Sequence, residues 1–447
     1  MKRRDLLKGL ILAPVADLSP VLGVEAAASS HAGASAQPGV RPSTAGMRSQ
    51  IAGMSLEALR EQYRSDLFDD YLPFWERTGF DFELGGFMCA VDHDGTQVNT
   101  DKHMWYQGRG MWTHAFAYNH FGGEIHLEMA RKTRDFILRH GMDGEGHWVR
   151  TLDREGGQIG AADRMGYTAL FIAEGLQEYA RAAGDEESME LAIESFWKGA
   201  RLYDDPERDV GQGYLPVSYP GMRIQGFEMV TIVLLTQLLQ KREDPKLEAR
   251  LAHAVKVVME RFWNPEYRLN NEALNHDYER PDDDNEDYIY LGHAIETFWM
   301  ILHEALRRGD RALFDLAAER MKRHMEVAWD DVYGGFFRAM EVHGSFTFDK
   351  VLWLQEEVLI GMMILLEHTD LEWPERWFGR TFRYVQEKYP LKPHGYPMWI
   401  MGGDRKVTFR PRTSRKGNYH HPRHLMLNLL ALDRMIARGG GVSDVWQ

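Results

Sequence analysis

The chain has 447 residues, 44% of them hydrophobic and 27% charged, and carries a net charge of −14. This composition excludes a disordered or fibrous chain, and the negative charge argues against nucleic acid or anionic lipid as a partner, because both would be repelled. The single cysteine, Cys89, rules out an intrachain disulfide and any cysteine-built metal site.

Arg3-Arg4-Asp5-Leu6-Leu7-Lys8 resembles the twin-arginine export pattern, with Leu6 where Phe is commoner. A weakly apolar run follows from Gly9 to Val24, with A-x-A-like cleavage sites at Ala26-Ala27-Ala28 and Ala34-Ser35-Ala36. Residues 1–36 are therefore expected to be an export signal read by the twin-arginine machinery, and the mature protein to be periplasmic. Pro14, Asp17 and Pro20 make the apolar run a poor membrane span, and no later stretch is long and apolar enough. Residues 37–50 read as linker, and Ser55 as the cap of a first helix.

From Leu56 onward the 3.6-residue period predicts about twelve amphipathic helices. They cover residues 56–75, 102–120, 124–139, 165–183, 187–203, 227–240, 247–262, 291–308, 311–327, 352–368, 374–388 and 422–438, leaving 439–447 as a tail. Between alternate helices lie short Gly- and aromatic-rich segments: Gly85-Gly86-Phe87, Gly146-His147-Trp148, Gly213-Tyr214-Leu215, Tyr267-Arg268-Leu269, Gly334-Gly335-Phe336-Phe337 and Gly395-Tyr396-Pro397. Asp81 to Phe87 is the closest match to the fifth copy, Asp331 to Phe336. Such recurrence marks a repeat architecture, here an all-α toroid of helix pairs over residues 51–438, with β-hairpins in the loops at one face. The inner helices begin just after the hairpins. Their N-termini, which carry free N–H groups and partial positive charge, crowd one mouth.

Several inner-helix starts carry residues suited to chemistry. His293 and Glu296 are three apart on the eighth helix, so the carboxylate is expected to orient the imidazole, with Trp299 beside them. His420 opens the twelfth helix, so His293 and His420 approach a central ligand from different sides. Two imidazoles suit removal and return of a proton on a carbon next to a carbonyl, since they titrate near neutral pH. The enediolate formed between the two steps needs a hydrogen-bonding or positive group, and Arg109 on the second helix is the candidate. The run His420-His421-Pro422-Arg423-His424 invites a zinc reading. Pro422, however, is expected to break the i,i+4 geometry that would pair its histidines, and no third ligand stands out, so neither metal nor cofactor is expected.

Together these segments resemble the N-acylglucosamine 2-epimerase family, which also holds cellobiose 2-epimerases and aldose-ketose isomerases. The resemblance is carried by Phe74-Trp75-Glu76-Arg77 through Gly85-Gly86-Phe87 to Asp101-Lys102 and Trp105-Tyr106-Gln107-Gly108-Arg109; by Gly292-His293 with Glu296 and Trp299; by Lys350, Trp353 and Glu357; and by Lys416-Gly417 with Tyr419-His420 and Pro422-Arg423. It implies an (α/α)6 barrel, an acid/base pair of His293 and His420, and a sugar-binding set that adds Trp353, Glu357 and Arg423 to Arg109, Glu296 and Trp299. Gln107-Gly108-Arg109 is closer to the N-acylglucosamine branch. The start of the sixth helix, Arg223 to Met229, matches neither branch, so Glu228 is expected to face a different sugar substituent.

The expected activity is inversion of C2 of a reducing, N-acylglucosamine-like sugar through its open-chain aldehyde. An aldose-ketose isomerase using the same histidines stays open. So do a glycoside hydrolase using two of Glu228, Glu296 and Glu357, and a non-catalytic sugar-binding module. Whether the chain forms a homodimer is left open by the sequence.

Overall fold

The computed structural model describes residues 47–208, 210–211, 213–344, 346–391 and 417–446. The export segment, Gly395-Tyr396-Pro397 and Lys416 lie outside the described residues. Helix α1 (Leu56–Ser65) runs on through wider turns over Asp66–Tyr71 and Trp75–Gly79. Among the described residues eleven further long helices follow: α2 (Met104–Phe121), α3 (Glu124–His140), α4 (Tyr167–Ala183), α5 (Glu186–Asp204), α6 (Gln225–Leu239), α7 (Pro245–Glu260), α8 (Leu291–Arg308), α9 (Arg311–Ala328), α10 (Leu352–His368), α11 (Trp373–Lys388) and α12 (His420–Ala437).

The even-numbered helices form an inner ring and the odd-numbered ones an outer ring, which makes the (α/α)6 barrel. Burial separates the two. On α4 every residue from Tyr167 to Ala180 is buried, and on α10 every residue from Leu354 to Glu367. Outer helices bury one stripe and leave the rest in solvent, as amphipathic helices do. Each inner helix packs on the next, and α12 meets α2 to close the ring. At that closure Thr113 Oγ1 donates to the Asn418 carbonyl (2.9 Å), and Asn418 Nδ2 donates to the Tyr106 carbonyl (3.0 Å).

Capping also differs between the rings. The N-cap side chains of α1, α5, α7 and α9 (Ser55, Asp185, Asp244 and Asp310) each accept a bond from their own helix. None of the six inner helices takes a side-chain bond from its N-cap residue. Their first turns are turned instead toward the loops that rim the mouth.

Short antiparallel strands fill those loops. Lys102–His103, Val149–Leu152 and Gln158–Ala162 form one three-stranded sheet, and Tyr288–Ile289, Ala339–Glu341 and Phe346–Thr347 another. The first and fifth copies share one anchoring device. Lys102 Nζ donates to Asp81 (3.1 Å), and Gln107 bonds both the N–H and the carbonyl of Phe87 (2.7 and 2.8 Å). Lys350 likewise bonds Asp330, and Gln355 bonds the N–H and the carbonyl of Phe336 (2.9 and 3.1 Å). The counterpart of Asp81 is therefore Asp330, one residue before the aspartate that sequence similarity suggested. Gly85 has φ +89°, and a Cβ there would stand 2.3 Å from the Lys132 carbonyl oxygen, so the turn requires glycine.

Two stretches expected to lie outside the ring belong to it. Arg48, in the expected linker, donates its N–H to the Gly440 carbonyl (2.8 Å) and its guanidinium to the carbonyls of Leu366, Thr369 and Leu371. In the expected tail, Trp446 packs on Phe314 with ring centres 5.0 Å apart. Among the described residues no helix is long and apolar enough to cross a membrane.

Candidate active site

The inner-helix N-termini and the loops above them enclose a cavity of about 1130 Å³. Arg109, His293, Glu296, Trp353, Tyr419 and His420 all line it.

His293 is the third residue of α8. Its ring lies over the start of α6, where a Cβ on Gly226 would come within 3.0 Å of it. Tyr290 stacks on the imidazole with ring centres 4.1 Å apart. Nδ1 lies 2.8 Å from Oε1 of Glu272, an oxygen that also accepts from the Tyr214 hydroxyl (2.9 Å). A carboxylate only accepts, so Nδ1 carries the proton and Nε2 is left for exchange. Burial works against the charged ring, but the Glu272 carboxylate outweighs it and raises the His293 pKa above the ordinary histidine value.

His420 is held in a parallel way. Its Nδ1 lies 2.8 Å from Glu357 Oε1, and the other oxygen of Glu357 accepts from Trp299 Nε1 (2.6 Å). Arg423 clamps the arrangement, donating to Glu296 (2.5 Å) and Glu357 (2.7 Å). Burial, reinforced by the Arg109 and Arg423 charges over the opposing pull of Glu296, lowers the His420 pKa to about 3. The two histidines thus sit in environments that push their protonation apart, the pattern expected of an acid and a base in one site.

The Trp353 indole lies near both, with ring centres 5.3 Å from His420 and 6.1 Å from His293. It crosses the start of α8 because position 292 is glycine, where a Cβ would stand 2.5 Å from the indole. The Arg109 guanidinium packs on Phe171 (4.0 Å), Tyr419 (4.9 Å) and Trp105 (5.4 Å). Its buried Nε has no hydrogen-bond partner among the described residues. A positive group braced by rings at the wall of the cavity suits a ligand oxygen.

Several expected roles change. Glu296 lines the cavity but pairs with Arg423 rather than orienting His293, because Glu272 reaches that imidazole from a loop. Trp299, Glu357 and Arg423 are buried behind His420 and hold it; they do not line the cavity. Glu228 is wholly buried and bonds Arg250 of α7 (2.8 Å), on the outward side of α6, so it faces no sugar. Of the three carboxylates considered for hydrolysis, only Glu296 lines the cavity, and Arg423 occupies it. Glu272 was missed. Its only signal was the polar triplet Asn270-Asn271-Glu272 between Leu269 and Ala273. Pro422 is the third residue of α12, in the first turn where proline is tolerated, so the helix runs unbroken through His421 and His424.

Residues 85–422 match the family described as N-acylglucosamine 2-epimerase (GlcNAc 2-epimerase). The N-acylglucosamine 2-epimerase of Bos taurus is 23% identical over 403 residues, covering 86% of this chain and 93% of that one. The cellobiose 2-epimerase of Bacteroides fragilis is 23% identical over 374 residues, covering 78% and 92%. Among solved structures, cellobiose 2-epimerase from Bacillus thermoamylovorans B4167 superposes with a TM-score of 0.73 at 19% identity, covering 84% of this chain and 99% of that one. A D-mannose isomerase superposes with a TM-score of 0.67 at 17% identity, covering 85% and 97%. The fold and these relatives define an isomerase-class carbohydrate enzyme. The chain belongs to the N-acylglucosamine 2-epimerase family.

Proposed function

We propose that the enzyme inverts C2 of a reducing sugar of the N-acylglucosamine class, acting on the open-chain aldehyde. The observation that carries this reading is the pair of imidazoles, each backed by a buried carboxylate, lining one cavity with Arg109. One imidazole takes the C2 proton. The electron pair left behind delocalises onto O1, giving an enediolate whose charge Arg109 offsets. The other imidazole delivers a proton to the opposite face of C2. Each histidine is base toward one epimer and acid toward the other, so the pair returns to its starting state over a forward and a reverse turnover. Met229 and Val230 give the cavity an uncharged wall suited to an acyl group.

Returning the proton to C1 instead would give a ketose, the outcome of an aldose-ketose isomerase. Carbon NMR of reactions with N-acetylglucosamine, cellobiose and mannose separates the readings. Appearance of the C2 epimer supports the proposal. A ketose product assigns the isomerase reaction, and no turnover of any reducing sugar overturns both. We further propose that the precursor is exported to the periplasm through Arg3-Arg4. Replacing both with lysine is expected to leave the chain in the cytoplasm, and unchanged periplasmic recovery contradicts this.

A further inference from the structure

We propose that Glu356, His421 and His424 form a binding site for one divalent ion of the zinc type, buried between α10, α12 and α1 and separate from the proton-transfer pair. His421 and His424 are three residues apart on α12 and share a face, while Glu356 enters from α10. One ligand atom from each of the three lies within 4.8 Å of the other two. Their side chains are 0–4% exposed.

His421 Nδ1 bonds Glu356 Oε1 directly, and other atoms of the cluster keep unspent bonding capacity. Glu356 Oε2 and His424 Nδ1 are buried without a hydrogen-bond partner among the described residues. A buried polar atom left without a partner destabilises the fold unless something fills its place. His424 Nδ1 stands 3.6 Å from Glu356 Oε1, too far for a hydrogen bond. It is close to the roughly 3.3–3.5 Å that separates two ligands of one tetrahedral zinc ion with bonds of about 2.0–2.1 Å.

The surroundings complete the site. His424 Nε2 lies 2.9 Å from the Tyr63 hydroxyl, and Asn428 Nδ2 donates to that oxygen (3.1 Å). In the tautomer whose Nε2–H donates to the Tyr63 oxygen, the Nδ1 lone pair faces Glu356. That is the outer partner a metal-bound imidazole characteristically keeps. Two imidazoles and one carboxylate suit zinc, cobalt or nickel, whereas magnesium and calcium prefer all-oxygen sets. Three protein ligands leave one position for water. His421 also lines the main cavity, which gives an ion a way in.

Two other clusters of this composition are poorer candidates. In Glu296–Glu357–His420 the carboxylates already bind Arg423, whose charge repels a cation. Asp143–Glu145–His147 is a loop at the surface, with Glu145 71% exposed.

The test uses the full chain, stripped with a chelator, loaded with Zn²⁺ and exchanged into metal-free buffer. The expected result is one retained zinc per chain by elemental analysis. Cobalt substitution should give the visible d–d absorption of a four-coordinate ion. E356Q and H424F, the latter keeping a ring beside Tyr63, are expected to lower affinity by about tenfold or more, while H147N leaves it unchanged. Thermal melts give a reading that does not depend on the variants' yield: Zn²⁺ raises the Tm of the unsubstituted chain. Substoichiometric retention, a cobalt spectrum of the aquo ion, no Zn²⁺-dependent rise in Tm, or loss of binding in H147N overturns the proposal. Equal binding by E356Q and H424F also overturns it, and assigns the cluster as a hydrogen-bonded ion pair only.

Discussion

Replacing Glu272 with glutamine removes one charge from beside His293 while keeping the shape of the side chain. The carboxylate is 0% exposed and the imidazole 18%, with 2.8 Å between Oε1 and Nδ1. The two charge centres lie roughly 4–5 Å apart, and at an effective dielectric near 20 they attract by about 3–4 kcal/mol. Burial opposes the charged imidazole, and in E272Q that opposition is no longer balanced. His293 therefore falls from above its ordinary value to below it. The productive enzyme carries one proton on the histidine pair, so the alkaline limb of kcat/KM reports loss of that proton. The limb therefore moves to lower pH, and the loss of rate is largest at mildly alkaline pH. Both directions shift together, because the equilibrium between two neutral sugars does not depend on pH. The assay is kcat/KM against pH for each epimer in the two proteins. An alkaline limb that stays in place, with activity lowered equally at every pH, refutes the assignment of Glu272 as the group that sets the charge of His293.

Four further outcomes follow from named contacts. R109M is expected to lower kcat by about 10²–10³-fold, the usual cost of losing a donor to a developing oxyanion, with its Tm close to the parent's; steady-state kinetics and a thermal melt check this. In G292A the new Cβ meets the Trp353 indole at 2.5 Å and displaces it, so kcat/KM should fall by about 10²-fold, and an unchanged value contradicts the placement of Trp353. D330N leaves the Lys350 ammonium, 1% exposed, without its carboxylate, so urea denaturation should show a loss of about 3–5 kcal/mol. Burial raises the Asp330 pKa, but Lys350 and the N–H groups of Tyr333 and Val332 outweigh it and hold the pKa below the ordinary value of 3.8; the pair's stabilisation is therefore present above that ordinary value and is lost as pH falls through the lowered one, a dependence that D330N should lack. E228Q should destabilise the fold by loosening Arg250 while leaving KM for the sugar unchanged, and a raised KM would return Glu228 to the binding site.

The ring of helices was legible because burial writes itself into sequence as a 3.6-residue period; eleven of the twelve predicted helices fall on observed ones within a few residues, and the first covers α1 together with the wider turns that follow it. The two histidines were legible because each sits at an inner-helix start among residues no surface helix needs there. Their carboxylate partners were harder to read. Glu357 lies on a helix and matched a family segment, whereas Glu272 sits in a loop 21 residues before His293, where no periodicity points at the imidazole. Glu296 misled for a related reason. Three-residue spacing puts it on the face of His293, but spacing cannot reveal that Arg423, 127 residues later, takes its oxygen. Pro422 misled because proline breaks helix interiors but not first turns, and the difference depends on where the helix begins. The contacts of Arg48 and Trp446 leave no local signal because their partners are far away in sequence.

The most direct test of two-sided proton transfer is solvent deuterium exchange at C2, followed by proton NMR for both epimers of a substrate with H293N and H420N. The account predicts that both variants lose interconversion. Each should still exchange the C2 proton of one epimer, and the epimer retained by H293N should be the one lost by H420N. Exchange of the same epimer in both variants, or interconversion surviving in either, contradicts a pair of imidazoles working from opposite faces of the sugar.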